Sequence, residues 1–139
     1  MNQGHLDLLA AQHRGILATL KRDGRPQLSN VAFHLDAGTG LVRVSTRDPL
    51  AKTRNLRRDP RVSLHATSRD MRSYAVVEGT ADLTAVAADA HDDVVEELVE
   101  HYRAINGDHP DWDEFRAAMV AEQRVLVRFT IEHTYGLVM

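Results

Sequence analysis

A mainly β fold, a barrel of six to seven antiparallel strands with peripheral helices in one domain spanning residues 1–139, follows from three observations. Short segments alternate apolar and polar side chains, as half-buried strands do. Turn residues separate them at hairpin spacing. The main helical periodicity gathers into one block near the C-terminal end instead of alternating with strands, which argues against a parallel α/β sheet.

Taken in order, His5 to His13 places Leu6, Leu9 and Ala10 at helical spacing, with Gly15 suited to end the helix. Ile16 to Leu20 is the first strand. Asp23-Gly24 then predicts a hairpin into a second strand, where Leu28 is out of phase with Val31, Phe33 and Leu35, so a bulge is expected at Ser29-Asn30. Leu41 to Thr46 alternates as a third strand. Asp48-Pro49 predicts a helix start with proline at the first helical position, and Asp59-Pro60 stops that helix after Arg58. Arg61 to Ala66 and Ser73 to Leu83 are further strands, with Gly79 marking another expected bulge. Thr84 is the expected cap of a long helix whose Val94, Val95, Leu98, Val99, Tyr102 and Ile105 form an apolar stripe that covers the barrel. Asn106 to Pro110 breaks it. A second helix from Asp111 to Gln123 turns Trp112, Phe115 and Met119 inward, and Arg124 to Glu132 closes the barrel as the last strand.

Composition narrows the function. Of the 139 residues 43% are hydrophobic and 27% charged, ordinary for a globular protein, and zero cysteines exclude disulfides, thiolate metal sites and cysteine nucleophiles. No apolar run approaches the roughly 20 residues of a membrane span, and no export signal is read at the N-terminus, so no membrane partner is expected and the cytoplasm is the expected compartment. Charge is segregated. Between Arg43 and Arg61 seven basic residues face two acids, a net +5, whereas Asp89 to Glu114 holds ten acids and one arginine, a net −9. Such a split favours an anionic ligand at one surface.

The cation-rich stretch has the parts of a phosphate cradle. Ser45 and Thr46 lie at a strand end, a helix N-terminus follows, and Lys52 falls in its first turn. Unpaired N–H groups and partial positive charge at a helix start suit an anion, to which Lys52 adds a full charge. The bland reading, a solvated basic helix face, is equally compatible with the spacing. Nucleic acid is not expected, because the chain is acidic overall and has few aromatics for stacking. The eight histidines form no His-x-x-x-His pair, so no metal is expected. No serine sits in a Gly-x-Ser-x-Gly turn, and the carboxylates from Asp92 to Glu97 read as a solvated helix side.

Gly15-Ile16-Leu17-Ala18-Thr19, Asp23-Gly24-Arg25-Pro26-Gln27-Leu28-Ser29-Asn30 and above all Ala51-Lys52-Thr53-Arg54-Asn55-Leu56 resemble the pyridoxamine 5′-phosphate oxidase-like split-barrel superfamily. Within it, the chain is similar to the group that binds the deazaflavin coenzyme F420. The likeness continues through Ser73 to Ala81, His109 to Trp112 and His133 to Leu137, and so covers nearly the whole chain. It implies an FMN-binding type of split barrel and a homodimer with cofactor sites at the subunit interface. It places Ser45, Thr46, Lys52 and Thr53 on the cofactor phosphate, Gln27, Ser29 and Asn30 on the strand facing the ring, and Tyr74 on a neighbouring strand. Leu50 departs from the family, which often carries arginine two residues before the lysine, and Arg54 is available to rebuild the grip.

The resemblance implies an oxidoreductase that passes a hydride from reduced F420 to an unidentified small-molecule acceptor. The alternatives are an FMN-binding oxidase or reductase of the same family, and a non-catalytic F420 carrier. The arginine surplus favours F420, whose oligoglutamate tail is anionic. No catalytic residue is legible.

Overall fold

The computed structural model describes residues 2–139. Among the described residues nine strands and four helices follow in the order α1 (Gln3–Ala10), β1 (Arg14–Leu20), β2 (Pro26–Ala32), β3 (His34–Asp36), β4 (Leu41–Arg47), α2 (Ala51–Arg58), β5 (Arg61–Thr67), β6 (Tyr74–Thr80), β7 (Asp82–Leu83), α3 (Asp93–Asn106), α4 (Trp112–Ala121), β8 (Arg124–Thr130) and β9 (His133–Leu137). They form two antiparallel sheets, one ordered β2-β1-β5-β6-β9 and the other β3-β4-β8-β7. The mainly β class with peripheral helices is therefore the observed one, with more strands than the six or seven expected.

The extra strands have identifiable causes. The parity slip in the second strand is real but is no bulge at Ser29-Asn30, since β2 pairs with β1 without interruption from Arg14↔Ala32 to Leu20↔Pro26. Leu28 simply points out of the sheet, 62% exposed. The chain changes sheets after Ala32, where Phe33 is fully buried and its N–H donates to the His13 carbonyl, and Leu35 of β3 keeps the inward phase of Ser29 and Val31. No bulge forms at Gly79 either, because β5 and β6 pair in unbroken register. Glycine serves closure instead. A Cβ at Gly79 would sit 2.6 Å from the Thr130 carbonyl oxygen and 2.8 Å from Phe129 Cδ2, so the missing side chain lets β6 of one sheet approach β8 of the other.

Two cores result. Between the sheets Leu17, Phe33, Val42, Val44, Leu64, Val77 and Val127 are fully buried. On the outer side of β8, Leu126 turns away from that core and packs with Val95, Leu98, Phe115 and Met119 under α3 and α4. Those helices begin later than the sequence suggests. Thr84 does not cap α3: its Oγ1 accepts from Leu126 N–H, while Asp92 is the cap and accepts from Val95 N–H at 2.9 Å. Alanines 85, 87, 88 and 90 run outside the helix despite their helical propensity, with Ala87 N–H bound to the Arg124 carbonyl, so the link is set by its attachment to β8.

Gly79→Ala is expected to destabilise the fold by about 2 kcal/mol or more through overpacking against the Thr130 carbonyl. Thermal unfolding followed by circular dichroism should show a melting temperature several degrees lower; an unchanged melting temperature would mean that the two sheets separate there without penalty.

Candidate functional site

Helix α2 stands where β4 leaves the four-stranded sheet and is fastened from below. Thr53 is fully buried, its hydroxyl donates to the Arg47 carbonyl at 2.7 Å, and Thr46 Oγ1 lies 3.2 Å from Thr53 Oγ1. Asn55 is also buried and donates to Thr19 Oγ1 at 3.1 Å, tying the helix to β1. The helix starts at Ala51 with Leu50 as its cap, not at Pro49, and no side chain caps it. Asp48, the expected cap, pairs with Arg57 instead. In the first turn of α2 the Thr53 and Arg54 N–H groups both donate to the Leu50 carbonyl, which leaves those of Ala51 and Lys52 for an external acceptor.

A cavity of about 570 Å³ opens beside that turn. Asn30, Ser45, Thr46 and Lys52 line one side, and Leu98, His101, Ile105, Phe115 and Met119 of α3 and α4 line the other. Arg124 and Glu122 border it and pair with each other at 2.7 Å. Lys52 has no ion-pair partner among the described residues, and burial, helped by the nearby positive charge of Arg124, holds its ammonium below its ordinary range. Adding an anion would relieve this excess of positive charge.

The site residues expected from the sequence separate into five places. Asn30, Ser45, Thr46 and Lys52 share this cavity. Gln27 and Arg54 line a second one, of about 650 Å³, on the other flank of α2 with Lys21, Arg22, Arg57 and Arg58. Thr53 is sealed in the hydrogen bonds that anchor the helix, and Ser29 sits half-buried opposite Leu17, lining neither cavity. Tyr74 lies across the five-stranded sheet, stacked on His65 with ring centroids 5.6 Å apart.

The basic segment is partly neutralised. Arg43, Arg57 and Arg61 pair with Glu97, Asp48 and Asp59, so the acidic α3 and the basic β4 meet instead of facing apart. Lys21, Arg22, Lys52 and Arg54 have no ion-pair partner among the described residues. Trp112 lies outside the cavity lining, packed edge-on to Tyr102 and Phe115 with Arg103 over its ring at 5.0 Å. Among the described residues no group of three or more metal-ligating side chains comes together, and no helix is long and apolar enough to cross a membrane.

His101 is the cavity residue that the sequence reasoning missed. It occupies a slot between Leu98 and Ile105 in the apolar stripe of α3, is 7% exposed, and its Nδ1 is buried without a hydrogen-bond partner. A histidine inside a helical apolar stripe was the available signal. Burial first, then the neighbouring His34 and Arg43, push its pKa from 6.5 down to about 4 against the opposing pull of Glu97.

A family model for pyridoxamine 5′-phosphate oxidase matches residues 1–137. Among solved structures, a conserved hypothetical protein from Mycobacterium tuberculosis is 24% identical with a TM-score of 0.73, covering 98% of this chain and 84% of that one. An F420 reductase is 22% identical with a TM-score of 0.72, covering 97% and 98%. The heme storage protein HutZ from Vibrio cholerae is 16% identical with a TM-score of 0.68, covering 94% and 89%. At these identities the likeness to the three structures is one of fold.

The depressed pKa of His101 has a definite sign in folding. The unfolded chain binds the proton below about 6.5 and the folded chain only below about 4, so stability falls as pH drops through that window, by about 3 kcal/mol in all. Urea unfolding of wild type and His101→Gln at successive pH values should show this slope in the wild type and lose most of it in the variant; parallel slopes would mean that the imidazole is protonated in the folded state.

Proposed function

Because the chain belongs to the pyridoxamine 5′-phosphate oxidase family, we propose that it is a cytoplasmic homodimeric oxidoreductase of the F420-binding group, passing a hydride from reduced coenzyme F420 to a small-molecule acceptor. The observation that carries this reading is Lys52, unpaired in the uncapped first turn of α2 and lining a ring-sized cavity with Ser45. An anion there gains the helix-terminal N–H groups and a full charge together. F420 is preferred over FMN because the second cavity, across α2, offers Lys21, Arg22 and Arg54 to the several carboxylates of an oligoglutamate tail. When bound, the reduced deazaflavin supplies the hydride. The chain's own residues hold the phosphate, orient the ring and exclude water from the cavity under α3 and α4.

The dimer reading is supported by the outer face of the five-stranded sheet. Ile16, Leu28, Tyr74, Tyr135 and Leu137 are exposed there on four of its five strands, an apolar surface that monomers rarely leave bare. Asn30, which lines the cavity, is paired opposite Ile16 of that face, so a second copy seated on it would border the cavity mouth.

Fluorescence titration tests the cofactor. F420 should bind and Lys52→Ala should weaken it at least about tenfold, the scale of one charge-assisted contact. Micromolar FMN binding without F420 binding would overturn the choice of cofactor, and an unaffected Lys52→Ala the cradle. Light scattering should give twice the 15.5 kDa of one chain, and Leu28→Glu combined with Ile16→Glu should return it to one; a monomeric wild type would refute the dimer.

A further inference from the structure

A buried imidazole with an unpaired nitrogen is unfavourable to the fold, since the lost hydration of that nitrogen has no replacement. His101 is in this position, and α3 has no need of it: Leu98 and Ile105 in the same stripe are plain hydrocarbon. The residue lines the cavity, and with Nδ1 sealed away from solvent the nitrogen left to face that space is Nε2. A neutral imidazole carries one N–H, and placing it on Nε2 avoids sealing an N–H without an acceptor at Nδ1. Leu98, Ile105, Phe115 and Met119 give the α3–α4 side of the lining an apolar surface suited to a flat ring, beside the polar Asn106, His109 and Glu114.

We propose that His101 is a specificity-determining residue that recognises the ring of the bound molecule, its Nε2–H donating to a ring carbonyl of a flavin-type heterocycle lying under α3 and α4. This rests on the reading of the cavity as a cofactor site and adds to it a polar contact from α3, separate from the phosphate contact of Lys52 on α2. The groups around the imidazole agree with a neutral donor. His13 ahead of β1, His34 on β3 and Arg43 on β4 oppose its protonation, Glu97 on its own helix favours it, and burial decides for the neutral form. On the cavity side Lys52 and Arg124 add positive charge, whereas Glu122 is engaged by Arg124 and Glu114 lies on the α4 side. A neutral donor favours a carbonyl oxygen without demanding an anion, which leaves the anionic end of the ligand to Lys52.

Lumiflavin, a flavin ring with neither phosphate nor sugar, isolates the contact. Fluorescence titration should show binding that His101→Leu weakens about tenfold, the effect of a single hydrogen bond, and that His101→Gln, which keeps an N–H donor, largely restores. Binding should stay level from pH 8 to about 5.5, where an ordinary exposed imidazole would titrate. In the absence of ligand His101→Leu should melt at or a few degrees above wild type, because an unsatisfied polar group has been removed. Equal lumiflavin affinity in wild type and His101→Leu would overturn the proposal, as would no lumiflavin binding at all. A His101→Leu chain that melts earlier would assign the histidine to packing, and a hemin Soret shift lost in His101→Gln would assign Nε2 to iron; either overturns it. FMN and F420 titrations of Lys52→Ala, run in parallel, report on the phosphate cradle separately, so failure of the ring contact and failure of the cofactor reading are told apart.

Discussion

Arg43 of β4 and Arg128 of β8 stand directly opposite each other in the four-stranded sheet, a like-charge pair that a sheet tolerates poorly unless a counter-charge is supplied. Glu97 supplies it from α3. One carboxylate oxygen accepts from Arg43 Nε at 2.7 Å and the other from Arg128 Nη1 at 2.8 Å, while Asp82 of β7 takes the second arm of Arg128. Arg43, Arg128 and Glu97 are each only partly exposed, so an uncompensated charge there would be stabilised less than in water. The bridge fixes where α3 lies on the sheet and its rotation about its own axis.

Much of the site depends on that rotation. His101 lies one turn beyond Glu97, so the same face that reaches the arginines carries the imidazole to the cavity. α4 is fixed to α3 in turn by Arg116, whose guanidinium meets both carboxylate oxygens of Glu96, and by Tyr102, Trp112 and Phe115 packed edge to face. The helical pair is therefore placed by electrostatics at one end and by aromatic packing at the other. Between them it covers Leu126 and forms one wall of the cavity. The opposite wall, α2 with β4, is set by the Thr46–Thr53–Arg47 hydrogen bonds, which are local in sequence and owe nothing to the helical pair.

This difference in range explains what could be read from the sequence. Strands β1, β4, β5, β6 and β8, and the turn through Asp23-Gly24, follow from alternation and local turn chemistry, and the Ser45 to Lys52 juxtaposition follows from a strand end running into a helix. The break between β2 and β3 leaves no marker in the pattern, since odd-numbered residues face inward through both strands; the parity slip comes from Leu28, which belongs to an exposed apolar face and imitates a core residue. β9 carries no core-facing apolar alternation for the same reason: Tyr135 and Leu137 point outward. The start of α3 is ambiguous in the sequence because Thr84 and Asp92 are both good caps, and only pairing along β8 decides between them. The apolar stripe running through His101 is the sequence sign of its burial, whereas its opening onto the cavity follows only from the tertiary structure.

Thr53 shows how a motif can be legible while the duties of its residues are not. In the run Lys52-Thr53-Arg54 consecutive side chains leave a helix about 100° apart, so three neighbours cannot all face one ligand. Thr53 turns inward to hold the helix, Lys52 turns to the cavity beneath α3 and α4, and Arg54 turns to the cation-lined cavity on the far flank. The short helix thus divides positive charge between two separate spaces, with its fastening residue between them. A single compact anion would engage only one of them. An extended ligand with a phosphate near its ring and further negative charge along a tail would pass the uncapped helix start and meet both, which is the geometric reason for associating this segment with a long anionic cofactor.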